Sequence, residues 1–265
     1  MSAASPGQTP SPRPTVVVRE LAIGWGDVIL IDDISFEVSR GEIFAILGGS
    51  GAGKSTLLRY LIGLEKPTKG AIDVAGRGPP DLDRGLPPFG VMFQEGALFG
   101  SMTVLENVSL PLCQWAGLDG DAVQTVARSK LRLVGLQNDA QKLPAEISGG
   151  MTKRAAIARA LALDPPIAFL DEPSAGLDPV TAVELDNLIL TLARTTALTV
   201  VMVTHELESV FRIADRCLLL DKVSRKILAI GDPRELRSSA DPRIHGFFNP
   251  AAAGKERSWR RPQTT

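Results

Sequence analysis

The sequence predicts an α/β fold built around a parallel sheet, and three of its features carry this prediction. Wholly apolar runs such as Ile43–Leu47 and Ile167–Leu170 are typical of strands that are buried on both faces. A helix-like pattern follows each run along the chain. A glycine-rich loop separates the first run from its helix, which fits a fold that alternates strand and helix around a parallel sheet.

The other elements follow from local patterns. Val16–Ile23 and Ile29–Val38 alternate apolar and polar residues around a turn with two glycines, which predicts a β-hairpin. Residues 76–90 carry enough Gly and Pro to predict a surface excursion. Between about residues 98 and 165 the patterns are mainly helical, which predicts a helical insert. The remaining predicted helices and strands are Lys54–Leu64, Val91–Gln94, Val104–Trp115, Asp121–Val134, Met151–Leu163, Val180–Ala193, Leu198–Val203, Leu207–Ala214 and Arg216–Leu220.

Length and composition limit the class of protein. A chain of 265 residues can bury one large core, which excludes a small disulfide-stapled fold. With 44% hydrophobic residues and a net charge of −1, it favours neither global disorder nor attraction of the whole protein to nucleic acid. No apolar run reaches the ~18–20 residues that span a bilayer, so we expect any membrane function to depend on a partner. We expect a disordered tail at 1–15, a main domain at 16–240 and a basic tail at 241–265.

The stretch GGSGAGKST after the first apolar run carries the first motif. Its spacing of glycine, four residues, then Gly-Lys-Ser fits a P-loop, and the strand before it and helix after it supply the context. Glycines let backbone N–H groups at the helix start approach phosphate oxygens closely. Lys54 would reach the β- and γ-phosphates, and Ser55 would offer its hydroxyl to Mg²⁺. The predicted nucleotide-binding residues of this loop are Gly48, Gly49, Ser50, Gly51, Ala52, Gly53, Lys54, Ser55 and Thr56.

Two adjacent carboxylates end the apolar run in IAFLDEP, residues 167–173. The ends of parallel strands are where such groups meet a phosphate loop. Asp171 would help to hold Mg²⁺, and Glu172 would polarise or deprotonate an attacking water. Alone, Asp-Glu-Pro after a strand more often begins a helix, but the P-loop in the same chain favours the catalytic interpretation.

A third motif, ISGGM at residues 147–151, opens another predicted helix. The free N–H groups of Ser148, Gly149 and Gly150 would form a second anion site, separate from the P-loop. A head-to-tail pair of chains would bring the two sites together.

With these motifs, Gln94 in VMFQEG, SAGLD at 174–178 and His205 in VTHE, the chain resembles the ATP-binding subunits of ABC transporters over about residues 16–240. The resemblance implies a P-loop NTPase of the ABC ATPase type, with a RecA-like parallel-sheet core, an N-terminal antiparallel β subdomain and a helical insert subdomain. It also implies a homodimer in which ATP lies between the P-loop of one subunit and the Ser148–Gly150 motif of the other. Asp178 would then span the dimer interface.

The same resemblance assigns roles to further residues. Gln94 would bind the metal beside Ser55 and Asp171 and link it to the transmembrane partner. His205 would contact the γ-phosphate and act in catalysis with Glu172 and Lys54. Trp25 would stack on adenine, and the alternative for this residue is a Trp that packs in the core. The implied cofactors are ATP and Mg²⁺.

Within the family, residues 94–112, 148–165 and 203–221 are similar to the ATPases of Mla/Mce-type systems, which move phospholipids or other lipids between membranes. The similarity implies a permease, a Mce-domain lipid-binding protein and a small STAS-type accessory protein as partners, and no nucleic acid. It implies a peripheral position on the cytoplasmic face of a bacterial inner membrane. The alternatives are an importer or exporter of another small solute, a soluble ABC ATPase acting on DNA or ribosomes, and a subunit that binds nucleotide without turnover.

Two local features need the structure. Met151 stands where most family members have glutamine, which leaves only the backbone part of that anion site. In Glu95–Thr103, three apolar residues are expected to be partly exposed and to dock a cytoplasmic helix of the permease. The alternative is that they seat the helical insert on the core. These residues are Leu98, Phe99 and Met102.

Overall fold

A computed structural model describes residues 14–25 and 28–250 of the chain. Within this part the chain forms two sheets and a set of helices. The strands are β1 (Val16–Trp25), β2 (Val28–Val38), β3 (Ile43–Gly48), β4 (Lys69–Val74), β5 (Phe89–Met92), β6 (Ile167–Asp171), β7 (Thr199–Val203), β8 (Arg216–Asp221) and β9 (Lys226–Gly231). The helices are α1 (Lys54–Leu61), α2 (Val104–Trp115), α3 (Gly120–Leu133), α4 (Gly149–Ala160), α5 (Pro179–Thr196), α6 (Leu207–Ile213), α7 (Pro233–Arg237) and α8 (Pro242–Phe248).

The larger sheet has the order β5-β6-β7-β3-β8-β9 and is parallel except for β9 at its edge. Strand β3 lies at its centre, between β7 and β8. The carboxyl ends of β3, β6 and β7 therefore lie along one edge of the sheet, the edge at which the parallel strands end. Ligands bind at this edge in open α/β sheets. The loop after β3 is the predicted P-loop, so the topology brings the sequence motifs to this edge.

The alternation of side chains along β3 divides the core into two layers. Ile43, Ala45 and Leu47 point to the layer that contains α2 to α6. Phe44 and Ile46 point to the other layer, which contains α1 and the antiparallel sheet β2-β1-β4. The two predicted subdomains thus pack on opposite faces of one central sheet.

The helical insert is specified by its caps. Thr103 and Glu106 form a reciprocal capping box at the start of α2. Asp119 caps α3, and Ser148 caps α4. No helix in residues 14–25 and 28–250 is long and apolar enough to cross a membrane.

Several boundaries differ from the sequence prediction. Helix α1 ends at Leu61, three residues before the predicted Leu64, and Ile62 and Gly63 close its last turn. The predicted surface excursion at 76–90 includes a 3₁₀ turn at Leu82–Arg84 and the first residues of β5. Strands β4 and β9 carry no strand prediction, and both include exposed or half-exposed positions along an edge.

The two predicted tails have different outcomes. The N-terminal tail, residues 1–15, lies outside the described residues except for Pro14 and Thr15. The prediction of a tail over 241–265 is wrong for its first part, because residues 242–248 form α8. Ile244 and Phe248 are buried against the core, and Phe211 packs near the Phe248 ring at a centroid distance of 6.0 Å. Residues 251–265 lie outside the described part.

Candidate functional site

The conformation of the loop between β3 and α1 depends on Gly53 and Lys54. Gly53 precedes α1 with a φ of 93°, a left-handed conformation that favours glycine. A Cβ at this position would also lie 2.9 Å from Ile31 Cδ1. Lys54 Nζ donates to the carbonyls of Gly48 at 2.9 Å and Gly49 at 3.3 Å, so its ammonium lies over the loop. The first N–H groups of α1 have no acceptor within the helix, which makes this loop an anion site.

Asp171, at the end of β6, has a carboxylate oxygen that is not satisfied by the described residues. Its Oδ1 is buried and has no hydrogen-bond partner among them. Burial raises the pKa of this carboxyl and the Glu172 charge raises it further, whereas Lys153, Lys54 and the Ser55 hydroxyl lower it. A divalent cation between Asp171 and Ser55 would supply the missing partner. One carboxylate and one hydroxyl also suit Mg²⁺, which keeps several waters and takes few protein ligands.

Glu172 is held in an unusual backbone conformation. Its φ is 49°, in the left-handed region. This conformation costs about 1–3 kcal/mol for a residue with a side chain, and it persists only where contacts with the surrounding structure offset that cost. Its N–H donates to the Val203 carbonyl at 2.8 Å. Its carboxylate lies 2.8 Å from His205 Nδ1 and accepts the His205 backbone N–H at 3.3 Å. The chain therefore orients the Glu172 carboxylate from the neighbouring strand β7, and the His205 side chain stays 60% exposed.

The start of α4 faces outward. Ser148 Oγ accepts the Met151 N–H at 3.3 Å, and both Ser148 and Gly149 are exposed. Gly150 is buried, and a Cβ there would lie 2.5 Å from Thr181 Cγ2 at the start of α5. Met151 is half-buried and packs against the core. Within the described residues, no hydrogen bond joins the Ser148–Gly150 motif to the P-loop.

Asp178 has a structural role within its own chain. Its Oδ1 accepts the N–H groups of Val180 and Thr181, both at 3.1 Å, and its Oδ2 accepts the Thr181 hydroxyl at 2.6 Å. These bonds cap α5, and they lower the pKa of Asp178, with the Thr181 hydroxyl contributing most. The side chain of Trp25, the predicted adenine contact, lies outside the described part.

Three residues that sequence patterns did not single out hold the segment that follows Gln94. Lys153, on α4, donates from Nζ to the carbonyls of Gln94 and Glu172. Arg159 donates to the Ala97 carbonyl at 2.7 Å and to the Gly96 carbonyl at 2.8 Å. Asn107 is fully buried and bonds the backbone of Phe99 through both its side-chain oxygen and its nitrogen. The signal for Asn107 was present, since an amide interrupts the apolar stripe of α2.

An apolar groove runs beside this segment. Its volume is about 460 Å³, and it lies between the helical insert and the edge of the central sheet. Phe93 and Arg159 are the lining residues that contact this part of the chain. In the segment itself Phe99 is 57% exposed, whereas Leu98 is half-buried and packs against the core. Prominent lining residues are Leu64, Leu82, Leu86, Phe93, Trp115 and Leu163.

Comparison with known proteins decides the family. The ABC transporter family matches residues 31–175 of the chain. This chain is a member of the ABC transporter family. The phospholipid transport ATP-binding protein MlaF of Escherichia coli K12 is 38% identical over 244 residues, which cover 90% of this chain and 90% of that protein. The probable ribonucleotide transport ATP-binding protein mkl of Mycobacterium leprae is 38% identical over 240 residues, which cover 88% of this chain and 68% of that protein.

Solved structures agree with this family. A dimeric ATP-binding cassette in a post-hydrolysis state, bound to ADP and Pi, superposes with a TM-score of 0.72 at 29% identity, covering 82% of this chain and 98% of that one. The cbiO1 subunit of a Clostridium perfringens ABC transporter complex has a TM-score of 0.77 at 27% identity, covering 92% of this chain and 99% of that one. The predicted ABC ATPase fold and the prediction of an ATPase are confirmed.

Proposed function

We propose that this ABC ATPase works as a homodimer that energises the movement of phospholipid, or of another lipid, between membranes. The observation that carries the proposal is the match to MlaF, which is 38% identical and spans 90% of both chains. The arrangement of Lys54, Asp171, Glu172 and His205 around the ends of β3, β6 and β7 supports ATP turnover.

Each half of the nucleotide site has a proposed task. In one subunit the backbone N–H groups of Gly48–Thr56 bind the phosphates, with Lys54 as their charge partner. Trp25 stacks on the adenine. In the other subunit Ser148, Gly149 and Gly150 present the exposed start of α4 to the same ATP, and Asp178 lies at the interface.

The hydrolytic step is assigned to Glu172. Its carboxylate, which His205 orients, takes the proton of the attacking water, and the His205 ring is exposed enough to contact the γ-phosphate. Ser55, Asp171 and Gln94 hold Mg²⁺, which when bound neutralises charge on the phosphate oxygens. Closure of the dimer around ATP then drives the partner, and hydrolysis reopens it.

The apolar groove and the segment Glu95–Thr103 with its exposed Phe99 together form the proposed docking site for a cytoplasmic helix of an integral-membrane permease. The groove is apolar and is lined by the exposed aromatic side chains Phe93 and Trp115. Arg159 also lines it and donates to the Ala97 carbonyl, so the same side chain contacts the groove and the Glu95–Thr103 segment. Such a groove suits the apolar face of a helix. A permease contact here would place this subunit on the cytoplasmic face of a bacterial inner membrane. A Mce-domain lipid-binding protein and a small STAS-type accessory protein complete the proposed assembly.

A second cargo deserves a test because the mycobacterial relative is named for ribonucleotide transport and is equally identical, at 38%. The chain covers only 68% of that relative, compared with 90% of MlaF, which favours the lipid proposal.

Purification of the tagged full chain from its native membranes in mild detergent tests the proposal. The expected partners are a permease and a Mce-domain protein, and Glu172→Gln should abolish the ATPase activity of the complex. A permease that comes with a solute-binding protein would favour the small-solute alternative. A chain recovered with nucleic acid or ribosomes would contradict transport while leaving the ATP site intact.

Docking is tested by Phe99→Asp, which places a charge at the exposed aromatic position of the Glu95–Thr103 segment. We expect the variant to keep ATPase activity alone but to lose the permease in co-purification. Val223→Asp is the matched control, since Val223 is 90% exposed in the turn between β8 and β9. Retention of the permease by Phe99→Asp would refute the docking proposal.

A further inference from the structure

Lys153 is a buried cation for which nucleotide binding gives no reason. It lies one turn inside α4, and only 7% of its surface is exposed. Within the described residues it forms no ion pair with a carboxylate. An ammonium is costly to bury unless hydrogen bonds replace its water, so its two acceptors have a structural purpose.

Those acceptors belong to two different parts of the site. One is the backbone carbonyl of Gln94, just after β5, and the other is the carbonyl of Glu172, just after β6, at 3.1 Å. Desolvation lowers the pKa of Lys153, while the charges of Glu95, Glu172 and Asp171 raise it. The cation therefore lies in the field of the acidic groups at the site and bonds only to backbone.

The Glu172 peptide is where such a bond has the most effect. Its φ of 49° requires support from outside, and its N–H is held by Val203. Lys153 holds the carbonyl of the same residue. Together these bonds fix both polar groups of the Glu172 backbone, and that backbone determines where the carboxylate points.

The segment around Gln94, the other acceptor of Lys153, is also closely packed. Helix α4 approaches the segment from Gly90 to Gly96 closely at both of its glycines. A Cβ at Gly90 would lie 1.9 Å from the Ala160 carbonyl oxygen, and one at Gly96 would lie 3.1 Å from Thr152 Cγ2. The segment is therefore packed directly against α4, the helix that carries Lys153.

We propose that Lys153 is a positioning residue that holds the Glu172 peptide in its catalytic orientation and ties it to the backbone of Gln94. This inference rests on the proposed role of Glu172 in hydrolysis. It gives the segment that borders the permease groove a direct connection to the catalytic carboxylate. Both described hydrogen bonds of Lys153 go to backbone carbonyls, so the role proposed for it is to act through Glu172.

The test compares Lys153→Arg, Lys153→Gln and Lys153→Met in the full chain. We expect kcat to fall in that order as donors are lost, with Lys153→Met at least about tenfold below the unmodified protein and KM for ATP unchanged. Lys130→Met is the control for deleting a buried lysine, because Lys130 is also 7% exposed but pairs with Asp164 in the helical insert. It should leave kcat unchanged.

A double-mutant cycle separates positioning from general destabilisation. If Lys153 acts through Glu172, the loss caused by Lys153→Met should disappear from the residual single-turnover rate of Glu172→Gln. An equal loss in both backgrounds, or a folded Lys153→Met with normal kcat, would overturn the inference. If Lys153→Met does not fold, equal kcat for Lys153→Arg and Lys153→Gln would overturn it.

The same measurements distinguish this inference from the proposal on which it rests. Normal turnover by Glu172→Gln would overturn the role of Glu172 and the inference together. Loss of turnover in Glu172→Gln but not in the Lys153 variants would overturn the inference alone.

Discussion

Two helices of this protein begin at glycine-rich motifs, and their surroundings differ. The start of α1 lies beside polar groups of its own chain, with Lys54 over the loop and the unsatisfied oxygen of Asp171 nearby. The start of α4 is separate from these groups, because within the described residues no hydrogen bond links Ser148 or Gly149 to the P-loop. Both motifs include exposed residues, among them Gly51 and Gly149. One motif has its chemical groups around it, and the other does not.

This difference shows how a single chain can hold half of a site. Helix α4 has a free N-terminus that favours an anion, but its own chain supplies none of the catalytic groups there. The glycines of the two motifs also have different structural roles. Gly53 provides a left-handed turn for the loop, whereas Gly150 lets α4 pack against Thr181.

The largest expected effect lies in the half of the site that contains the P-loop. Glu172→Gln should lower kcat by about 10²–10⁴-fold, because the amide cannot accept the proton of water. ATP binding should persist, so steady-state turnover and nucleotide affinity must be measured together. The control is Glu206→Gln, which removes an exposed carboxylate 3.4 Å from the other nitrogen of His205. Comparable losses in both variants would contradict the assignment of Glu172.

The next effect concerns ATP affinity, which should depend on the P-loop but not on the start of α4 in a monomer. Lys54→Ala should weaken ATP binding by about 10–150-fold, which is typical for the loss of a hydrogen bond to a charged group. Ser148→Arg should leave the affinity unchanged in a chain diluted until light scattering shows a monomer, and yet abolish turnover at higher concentration. If Ser148→Arg weakens binding by the monomer as much as Lys54→Ala does, both motifs belong to one site within one chain.

The smallest effect concerns Asp178, which caps α5 within its own chain. Asp178→Ala removes the cap of α5 and should lower Tm by about 2–4 °C near neutral pH. Since the folded-state pKa of Asp178 lies below its ordinary value of 3.8, the carboxylate stabilises the fold fully above that value. This contribution disappears as the pH falls through the folded-state pKa, so the variant and the unmodified protein should converge in acid.

Thermal unfolding across this pH range measures the difference. Asp121→Ala in the first turn of α3 is the control, because Asp121 is exposed and should show little effect at any pH. A Tm difference that persists in acid would show that Asp178 stabilises the protein by something other than its charge.

The sequence predicts the centre of the fold better than its edges. Strand β3 is wholly apolar because it is covered on both faces, and this run was predicted to within one residue. Strands β4 and β9 lie at sheet edges, and their mixed burial produces no clear alternation. Helix α8 has only seven residues, with its buried side chains Ile244 and Phe248 four residues apart, which is too short for a helical period to be recognised in the sequence.

The residues of the candidate site show the same contrast between those that a local sequence pattern predicts and those that it does not. Motif residues such as Lys54 and Glu172 could be predicted because their chemistry requires a fixed spacing along the chain. Lys153 could not, since a lysine on a helix is normally exposed. Its burial depends on the approach of Gln94 and Glu172, which are distant in sequence, and only the folded chain brings these three residues together.

The most direct test of the shared site is a mixture of Lys54→Ala and Ser148→Arg chains, assayed at an ATP concentration at which Lys54→Ala binds little ATP, so that neither chain alone is expected to turn over. In a mixed dimer one site carries both substitutions, and the other combines an intact P-loop with an intact α4 start. We expect ATPase activity to return on mixing, up to about one quarter of the unmodified level if the two sites turn over independently. A mixture that stays as inactive as its components, although mass analysis shows mixed dimers, would contradict the account.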